Sequence, residues 1–599
     1  MCGIIGINSK SSNVIESVIT GLKNLEYRGY DSAGIAGNSI QTIKTQGKIS
    51  ALEAEVAKQN LQTNLAIGHT RWATHGAATQ INAHPHQTSQ VSVVHNGIIE
   101  NYISLKLELT KAGHVFASQT DSEVIPHLIT LYLNQGQAPL DAVNSAVKRL
   151  EGAFSIAVIF NNFPSLMIAA RKGSPLVVGY GENQMIIASD AYALAFLTNK
   201  ITYLEEGDVA ILYSDKIEIY NNQESVERSI IVSENNITNI GKGNFCHYML
   251  KEIFDQPSII ADTINAYDNL HFPNLTIDFN KVSKITLVAC GSSYYTAMTS
   301  KYWLEEIVSI PVEIDIASEF RYRNSYLPEN GLCIFLSQSG ETADTLAALR
   351  YAKQKKQKTL SIINVHKSSL DREADFSLQC FAGQEVSVAS TKGFTTQLVV
   401  LLLLSLHIGH QIGKINKEEL SKKLQIIAEV PGRIAENLNS IDSIKTIAKD
   451  ISSAKNAIFI GRNYMYPIAL EGALKLKELS YIHAEAIAAG ELKHGPIALI
   501  DEEMPIIVLA PQNSLFEKTI SNAQEIAARG GKLITLSSSD GNDILKSIAK
   551  HQLNISNCDS LIEPIIYALP MQLLAYYVAV IKGTDVDQPR NLAKSVTVE

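Results

Sequence analysis

Cysteine is scarce in this sequence, and the six present stand apart at positions 2, 246, 290, 333, 380 and 558. There is no Cys-x-x-Cys pair and no cysteine–histidine grouping at zinc spacing. That excludes a zinc ribbon or a disulfide-stapled scaffold, and no metal or organic cofactor is expected. Such sparse thiols fit a reduced cytoplasm. Long hydrophobic runs are also missing. The two most apolar, Leu398–Leu406 and Leu573–Ile581, fall short of the roughly 20 residues that a bilayer span needs, and read as buried helices. The opening Met-Cys-Gly-Ile-Ile-Gly has neither the basic region nor the apolar stretch of a secretory signal. A cytoplasmic protein with no membrane partner is the expectation. Positive charge is not in excess either. A net charge of −9 disfavours nucleic acid, whose phosphates are bound through lysine and arginine.

What remains is an ordinary globular composition, 46% hydrophobic and 19% charged over 599 residues, too long for one core. Up to about residue 235 the chain is rich in short β-like runs: Gly3–Ile7, Ala66–Gly68, Val91–His95, Phe154–Phe160, Met185–Ala188 and Val209–Tyr213. Helical patterning is confined to stretches such as Ser12–Leu25 and Ser122–Leu133. This predicts a largely antiparallel sheet domain with helices on its outer faces. A polar stretch, Ser233–Asn244, reads as a linker, and helical patterning resumes at His247–Phe254. From about 280 apolar strands alternate with long amphipathic helices, the pattern of a parallel sheet. That half repeats itself. Ile285–Gly291, Leu332–Leu336 and Thr359–Ile363 are answered by Ala457–Gly461, Pro505–Leu509 and Lys532–Leu536, each offset by roughly 170 residues. Three domains are expected.

Cys2 follows the initiator methionine directly. If Met1 is trimmed, a thiol nucleophile and an α-amine base share one residue. Equally, Cys2 could only pack at the start of a buried strand. Its company is informative. His69-Thr-Arg71-Trp-Ala-Thr-His75 places a guanidinium fork for a carboxylate after the strand Ala66–Gly68. Asn96 and Gly97 close the strand Val91–Val94 and can pair as oxyanion donors. Gln119-Thr-Asp121-Ser-Glu123 opens a helix, where Asp121 or Thr120 could also serve only as a cap.

In the second half, Ser337-Gln-Ser-Gly-Glu-Thr342 lies between the strand Leu332–Leu336 and the helix Ala343–Lys353. Three hydroxyls at a helix N-terminus, with Gly340 allowing close approach, suit a phosphate, and serine and threonine also serve there as plain polar caps. Cys290-Gly-Ser-Ser293 can close the same pocket. The second copy has Ala510–Ser514 there instead, so one such phosphate site per chain is expected. Glu471, Lys475 and Glu478 share one helix face, either as a solvent-side ladder or as buried chemistry.

Cys2-Gly-Ile-Ile-Gly, Tyr27-Arg-Gly-Tyr-Asp-Ser-Ala-Gly34, His69-Thr-Arg-Trp, His95-Asn-Gly and Thr120-Asp-Ser-Glu together resemble the class II glutamine amidotransferases of the N-terminal nucleophile hydrolase fold. The resemblance implies an αββα sandwich in which Cys2 attacks the γ-amide of glutamine and Asn96 and Gly97 hold the oxyanion. Arg71 would take the α-carboxylate and Asp121 the α-amine. The second half, with Glu471–Glu478, Tyr481–Pro496 and the tail Asp587–Glu599, is similar to the sugar isomerase (SIS) domains of the glutamine–fructose-6-phosphate transaminases (isomerizing). The likeness extends over essentially the whole chain. It implies that Ser293, Ser337, Gln338, Ser339 and Thr342 bind the sugar phosphate and that His494 helps open the ring. Lys594 would form a Schiff base, and Glu478 would move a proton with help from Lys475. Trp72 resembles the residue that gates an ammonia channel, and Thr74, His75 and Ser390 join the substrate-binding set.

The fold class expected is thus multidomain α/β and α+β. A class II glutamine amidotransferase domain would span 2–235, a linker and helix 236–279, SIS domains 280–420 and 450–590, and a tail 591–599 closing the sugar site. The family pattern also implies a homodimer through the SIS domains. Two rival readings are weaker. A phosphoribosylamine-forming amidotransferase would need an acidic diphosphate loop, which the sequence lacks. A sugar-phosphate sensor would need neither Cys2 nor Glu478, His494 and Lys594.

Overall fold

The computed structural model describes residues 2–10, 13–39, 41–232 and 241–597. The chain divides into two compact units, Met1–Gly241 with Ala593–Glu599, and Lys242–Leu592. Residues 233–240 of the expected linker, Ser12 at the start of the first expected helix, and Met1 lie outside the described residues.

In the first unit the opening strand, Gly3–Ser9, is buried along its whole length. It lies between Leu65–Arg71 and Gln184–Ala188, antiparallel to both, inside an eight-stranded sheet. Its side chains alternate as a pleated strand requires. Ile5 and Ile7 face the helices Ile15–Leu25 and Ile49–Gln59, while Ile4 points the other way, into the space between two sheets. Gly6 is glycine for a steric reason, because a Cβ there would lie 2.6 Å from the Met167 sulfur. The second, seven-stranded sheet contains Val91–Gly97 paired with Phe154–Phe160. Val94, Ala157, Ile159 and Met167 meet Ile4, Ile67 and Ile187 between the sheets. Helices Tyr102–Lys111, Val124–Asn134 and Pro139–Val147 cover the far face. The result is the four-layer αββα sandwich.

The second unit opens with the helix Tyr248–Ala266 and holds two five-stranded, wholly parallel sheets. In the first the order is Val312–Ile316, Ile285–Ala289, Leu332–Ser337, Lys358–Ile363, Phe376–Gln379. In the second it is His483–Ala488, Asn456–Gly461, Pro505–Leu509, Lys532–Ser537, His551–Asn554. The strand order is the same, so the duplication read in three strands extends to all five. Central strands such as Ile285–Ala289 are buried at every position, as a sheet covered on both faces demands. One continuous core runs between the sheets, built on the helices Gly291–Val308, Lys392–Gln411, Met465–Ser480 and Glu563–Lys582.

The two apolar runs belong to helices longer than the runs themselves. Lys392–Gln411 and Glu563–Lys582 each have 20 residues, enough by length and composition to cross a membrane, but 89% and 83% of their apolar windows are buried inside the protein. They are the central helices of this unit.

Candidate active site

The strand Gly3–Ser9 delivers Cys2 to the end of the first sheet. Its half-buried thiol lies against the backbone of Trp72, whose N–H donates to the sulfur at 3.4 Å. Burial outweighs that bond and pushes the thiol up from its ordinary value, so a nearby base is needed to make it a nucleophile. Asn96 stands beside it. The Nε2–H of buried His69 donates to the Asn96 Oδ1 at 3.1 Å and to the His95 carbonyl at 2.9 Å. That fixes which way the amide faces. The Asn96 Nδ2 therefore points at the Cys2 carbonyl, 3.1 Å away, and at the Ser189 Oγ, 2.8 Å away. Burial holds His69 neutral, with its pKa lowered to about 3, so it orients Asn96 without adding charge.

Gly97 adopts φ +129°, and a Cβ there would lie 2.0 Å from the Ala153 carbonyl oxygen. Only glycine fits this turn. Asp121 is buried, and its carboxylate accepts from the backbone N–H of Ile99 at 2.8 Å. It therefore braces the chain that follows Gly97. Thr120 is the cap residue of the short turn Asp121–Glu123, but its side chain makes no cap bond there.

Arg71 lies within the strand Leu65–Arg71, not after it, because the pairing with Gly3–Ser9 and Ser32–Gly37 continues through His69 and Thr70. Its guanidinium donates to the carbonyls of His75, Gly76 and Ala77 at 2.5, 3.1 and 3.1 Å. It thus shapes the loop carrying Thr74 and His75. Trp72 is half-buried, Thr74 exposed, and the His75 ring meets Tyr102 edge-on at 5.5 Å. The Tyr27–Gly34 motif serves as scaffolding. Arg28 pairs with Asp190 at 2.7 Å, Asp31 accepts from the Ala73 N–H at 2.8 Å, and a Cβ on Gly34 would strike the His84 carbonyl oxygen.

In the second unit, the strand Leu332–Ser337 runs out into the hydroxyl loop, and Thr342 precedes the helix Ala343–Gln354. The Ser337 Oγ lies 2.9 Å from the Thr342 Oγ1 and accepts from the Gly340 N–H at 3.0 Å. The Ser339 Oγ accepts from the Glu341 N–H at 3.2 Å. Gly340 has φ +65°, and a Cβ would sit 1.9 Å from the Ser368 Oγ. Hydroxyls and a helix N-terminus therefore converge, as phosphate binding requires. Gly393 lets Gln338 and Ser390 come together, since its own Cβ would stand 3.0 Å from the Gln338 Cγ and 3.1 Å from the Ser390 Oγ. The Ser390 hydroxyl donates to Glu385 at 3.3 Å. Ser293 sits in the first turn of Gly291–Val308.

Its neighbour Ser292 ties the two copies together. The Ser292 Oγ bonds the Glu471 Oε1 at 3.0 Å and accepts from the Lys475 Nζ at 3.2 Å. The Glu471–Lys475–Glu478 face is not a solvent ladder, for the Glu471 and Lys475 side chains are each 1% exposed. Lys475 lies 3.5 Å from Glu471 and 2.6 Å from Glu478. Burial raises the Glu471 carboxyl to about 7, with the like charge of Glu478 adding and Lys475 opposing. Burial alone would lower Lys475, but the two carboxylates reverse this and hold it charged.

His494 has no hydrogen bond or ion pair to this cluster among the described residues. It is exposed at the end of Ala489–His494. Lys594 is half-buried in the tail that groups with the first unit. Ser189, which with His69 orients Asn96, and Glu385, which accepts from Ser390, Thr391 and Gly393, escaped the sequence reading. His69 and Ser292 lay inside motifs the sequence displays, His69 heading His69-Thr-Arg-Trp and Ser292 standing beside Ser293, but neither declared a role of its own.

Comparison with known proteins accounts for both halves. Residues 69–196 match the glutamine amidotransferase domain, and residues 278–406 and 450–582 each match the SIS domain. The fold and the site define a glutamine amidotransferase joined to a doubled SIS module. Over its whole length the chain is 50% identical to the glutamine–fructose-6-phosphate aminotransferase (isomerizing) of Zymomonas mobilis and 48% identical to that of Bartonella quintana, covering 100% of each. It also resembles the solved C-terminal domain of glucosamine-fructose-6-phosphate aminotransferase from Francisella tularensis, with 43% identity and a TM-score of 0.56. That match spans 58% of this chain and 100% of the other. The chain belongs to the family of isomerizing glutamine–fructose-6-phosphate aminotransferases.

Proposed function

We propose that this chain converts fructose 6-phosphate and glutamine to glucosamine 6-phosphate and glutamate, with glutamine opened in residues 2–235 and the sugar handled by the SIS domains, 280–420 and 450–590. The Cys2 sulfur attacks the γ-carboxamide carbon of glutamine. The α-amine of Cys2, exposed once Met1 is removed, takes the thiol proton. The Asn96 Nδ2 and the Gly97 N–H stabilise the oxyanion. Collapse of the adduct breaks the C–N bond, releases ammonia and leaves a thioester, which water cleaves to glutamate. Arg71, with Thr74, His75 and Asp121, holds the α-carboxylate and α-amine of glutamine.

At the sugar end the hydroxyls of Ser293, Ser337, Ser339 and Thr342, with Gln338 and Ser390, take the phosphate and neighbouring sugar oxygens. His494 assists ring opening, and Lys594 forms an imine with the ketose C2, which ammonia then displaces. Glu478 carries the proton between C2 and C1, kept in place by Lys475. Ammonia is mostly protonated in neutral water, so it passes to the sugar without release, with Trp72 gating its path. The chain works as a cytoplasmic homodimer through its SIS domains.

The observation that carries this reading is the buried Glu471–Lys475–Glu478 face tied through Ser292 to the hydroxyl-rich copy. A sensor of sugar phosphate has no use for a lysine and two carboxylates at its ligand. The deciding experiment measures glucosamine 6-phosphate formed from glutamine and fructose 6-phosphate by Met1-free enzyme and by Cys2→Ala. Product from the wild type alone is expected. No product from the wild type would leave the sensor reading in its place.

A further inference from the structure

The first unit contains a cavity of about 560 Å³ that shares no residue with the set around Cys2, Arg71, Asn96 and Asp121. Thr42, Lys44, Gln80, Ile81, His86 and Glu123 line it. Lys44 is the one cation among its described lining residues. The side chain is half-buried, yet its amine makes no hydrogen bond or ion pair among the described residues. Burial lowers it to about 8, with Glu123 opposing. A desolvated cation without an acceptor is an unfavourable arrangement that an anion would relieve.

The cavity's own carboxylate is not available for this. Glu123 accepts from the backbone N–H groups of Ala117 and Ser118 at 2.8 and 2.7 Å, and from the Ser118 hydroxyl at 2.7 Å. Burial would raise it, but these bonds and His127 hold it down at about 2, so it stays ionised. His86 contributes no charge, since burial takes its imidazole well below the ordinary range, and its Nε2 pairs with the Thr120 hydroxyl at 3.0 Å. The wall therefore offers one unpaired cation and one fixed anion. Lys44 matches the one charge of a carboxylate, whereas a phosphate dianion would leave a second charge unmatched beside Glu123. Ile81, 54% exposed, supplies an apolar surface for a short carbon chain.

We propose that this cavity binds a small monocarboxylate through Lys44, at a site separate from that of glutamine. Gln80 and Ile81 continue the loop whose His75, Gly76 and Ala77 carbonyls Arg71 grips, and Asn82 bonds the Ala77 carbonyl at 3.0 Å. An occupant would therefore touch the loop that frames the glutamine site.

The test is ligand-observed saturation-transfer NMR with butanoate on the full chain, comparing wild type, Lys44→Arg and Lys44→Met. A saturable signal is expected in wild type and Lys44→Arg. It should fall about tenfold or more in Lys44→Met, whose glutaminase turnover stays at the wild-type level. Acetate should displace butanoate and inorganic phosphate should not. Equal signals in wild type and Lys44→Met, or displacement by phosphate as readily as by acetate, overturn the proposal. A second measurement needs no variant: butanoate should slow acetylation of Lys44 by acetic anhydride, read by mass spectrometry, and leave other lysines unaffected. Unchanged labelling of Lys44 would equally overturn it.

Discussion

Replacing Glu471 with glutamine should make the second unit less sensitive to pH. Glu471 is buried, bonded through one oxygen to Ser292, and raised to about 7 from its ordinary 4.5. A carboxyl raised in the fold contributes stability that is complete below its unfolded value and is lost as the pH climbs through its folded value. The loss grows by about 1.4 kcal/mol per pH unit over that interval. From about pH 5.5 to about pH 8 the wild type should therefore lose about 2 kcal/mol that Glu471→Gln retains. Below about pH 4.5 the two should be nearly equal, because glutamine is close in shape to the protonated carboxyl. The protein has two tryptophans, and Trp303 is fully buried in the core of the second unit. With Trp72 replaced by Phe, Trp303 fluorescence follows that unit's urea transition without a signal from the first. Parallel pH profiles for the two proteins would refute the argument, since they would mean that Glu471 carries no proton linked to folding.

Other perturbations address the remaining contacts. Asn96→Ala removes the Nδ2 beside Cys2 and should lower glutaminase kcat by roughly 10²–10³ with an unchanged circular dichroism spectrum; a loss below about threefold would take Asn96 out of the oxyanion role. Gly340→Ala drives a methyl group against the Ser368 Oγ. It should raise KM for fructose 6-phosphate by about tenfold or more while sugar-free glutamine hydrolysis is unaltered. Asp190→Ala leaves buried Arg28 without its carboxylate and should cost about 3–5 kcal/mol, visible as a lower melting midpoint. A midpoint within a degree of wild type would contradict it.

The parts legible in the sequence share one property: their residues are contiguous. Cys2 at the head of a strand, Asn96-Gly97 at the end of another, and the Ser337–Thr342 turn each declare themselves within a few positions, because a strand end or a helix start is local geometry. The duplication was legible for the same reason, in three strands that are apolar runs. The edge strands Val312–Ile316 and His483–Ala488 were not, because partly exposed strands mix polar with apolar residues and lose the signal. Arg71 was placed just beyond its strand for a related reason. His69 and Thr70 look like loop residues until pairing with Gly3–Ser9 carries the strand through them.

What could not be read is the pairing of distant segments. Ser189 and Asn96 are 93 positions apart, and Ser292 and Glu471 are 179 apart. Nothing local distinguishes Ser189 from the many serines that only cap or solvate. Glu471, Lys475 and Glu478 show the limit clearly, since their spacing fits a solvent ladder and a catalytic face equally well. The surrounding helix gives little help, because Ala469, Gly472, Ala473 and Leu476 would suit either. Burial excludes the solvent ladder, and it comes with Ser292 of the first copy against that face. The second SIS copy has Ala510–Ser514 where the first has Ser337–Thr342, and its ionisable face meets Ser292 of the first copy. The cluster is thus built from two unequal halves, and neither half alone contains it.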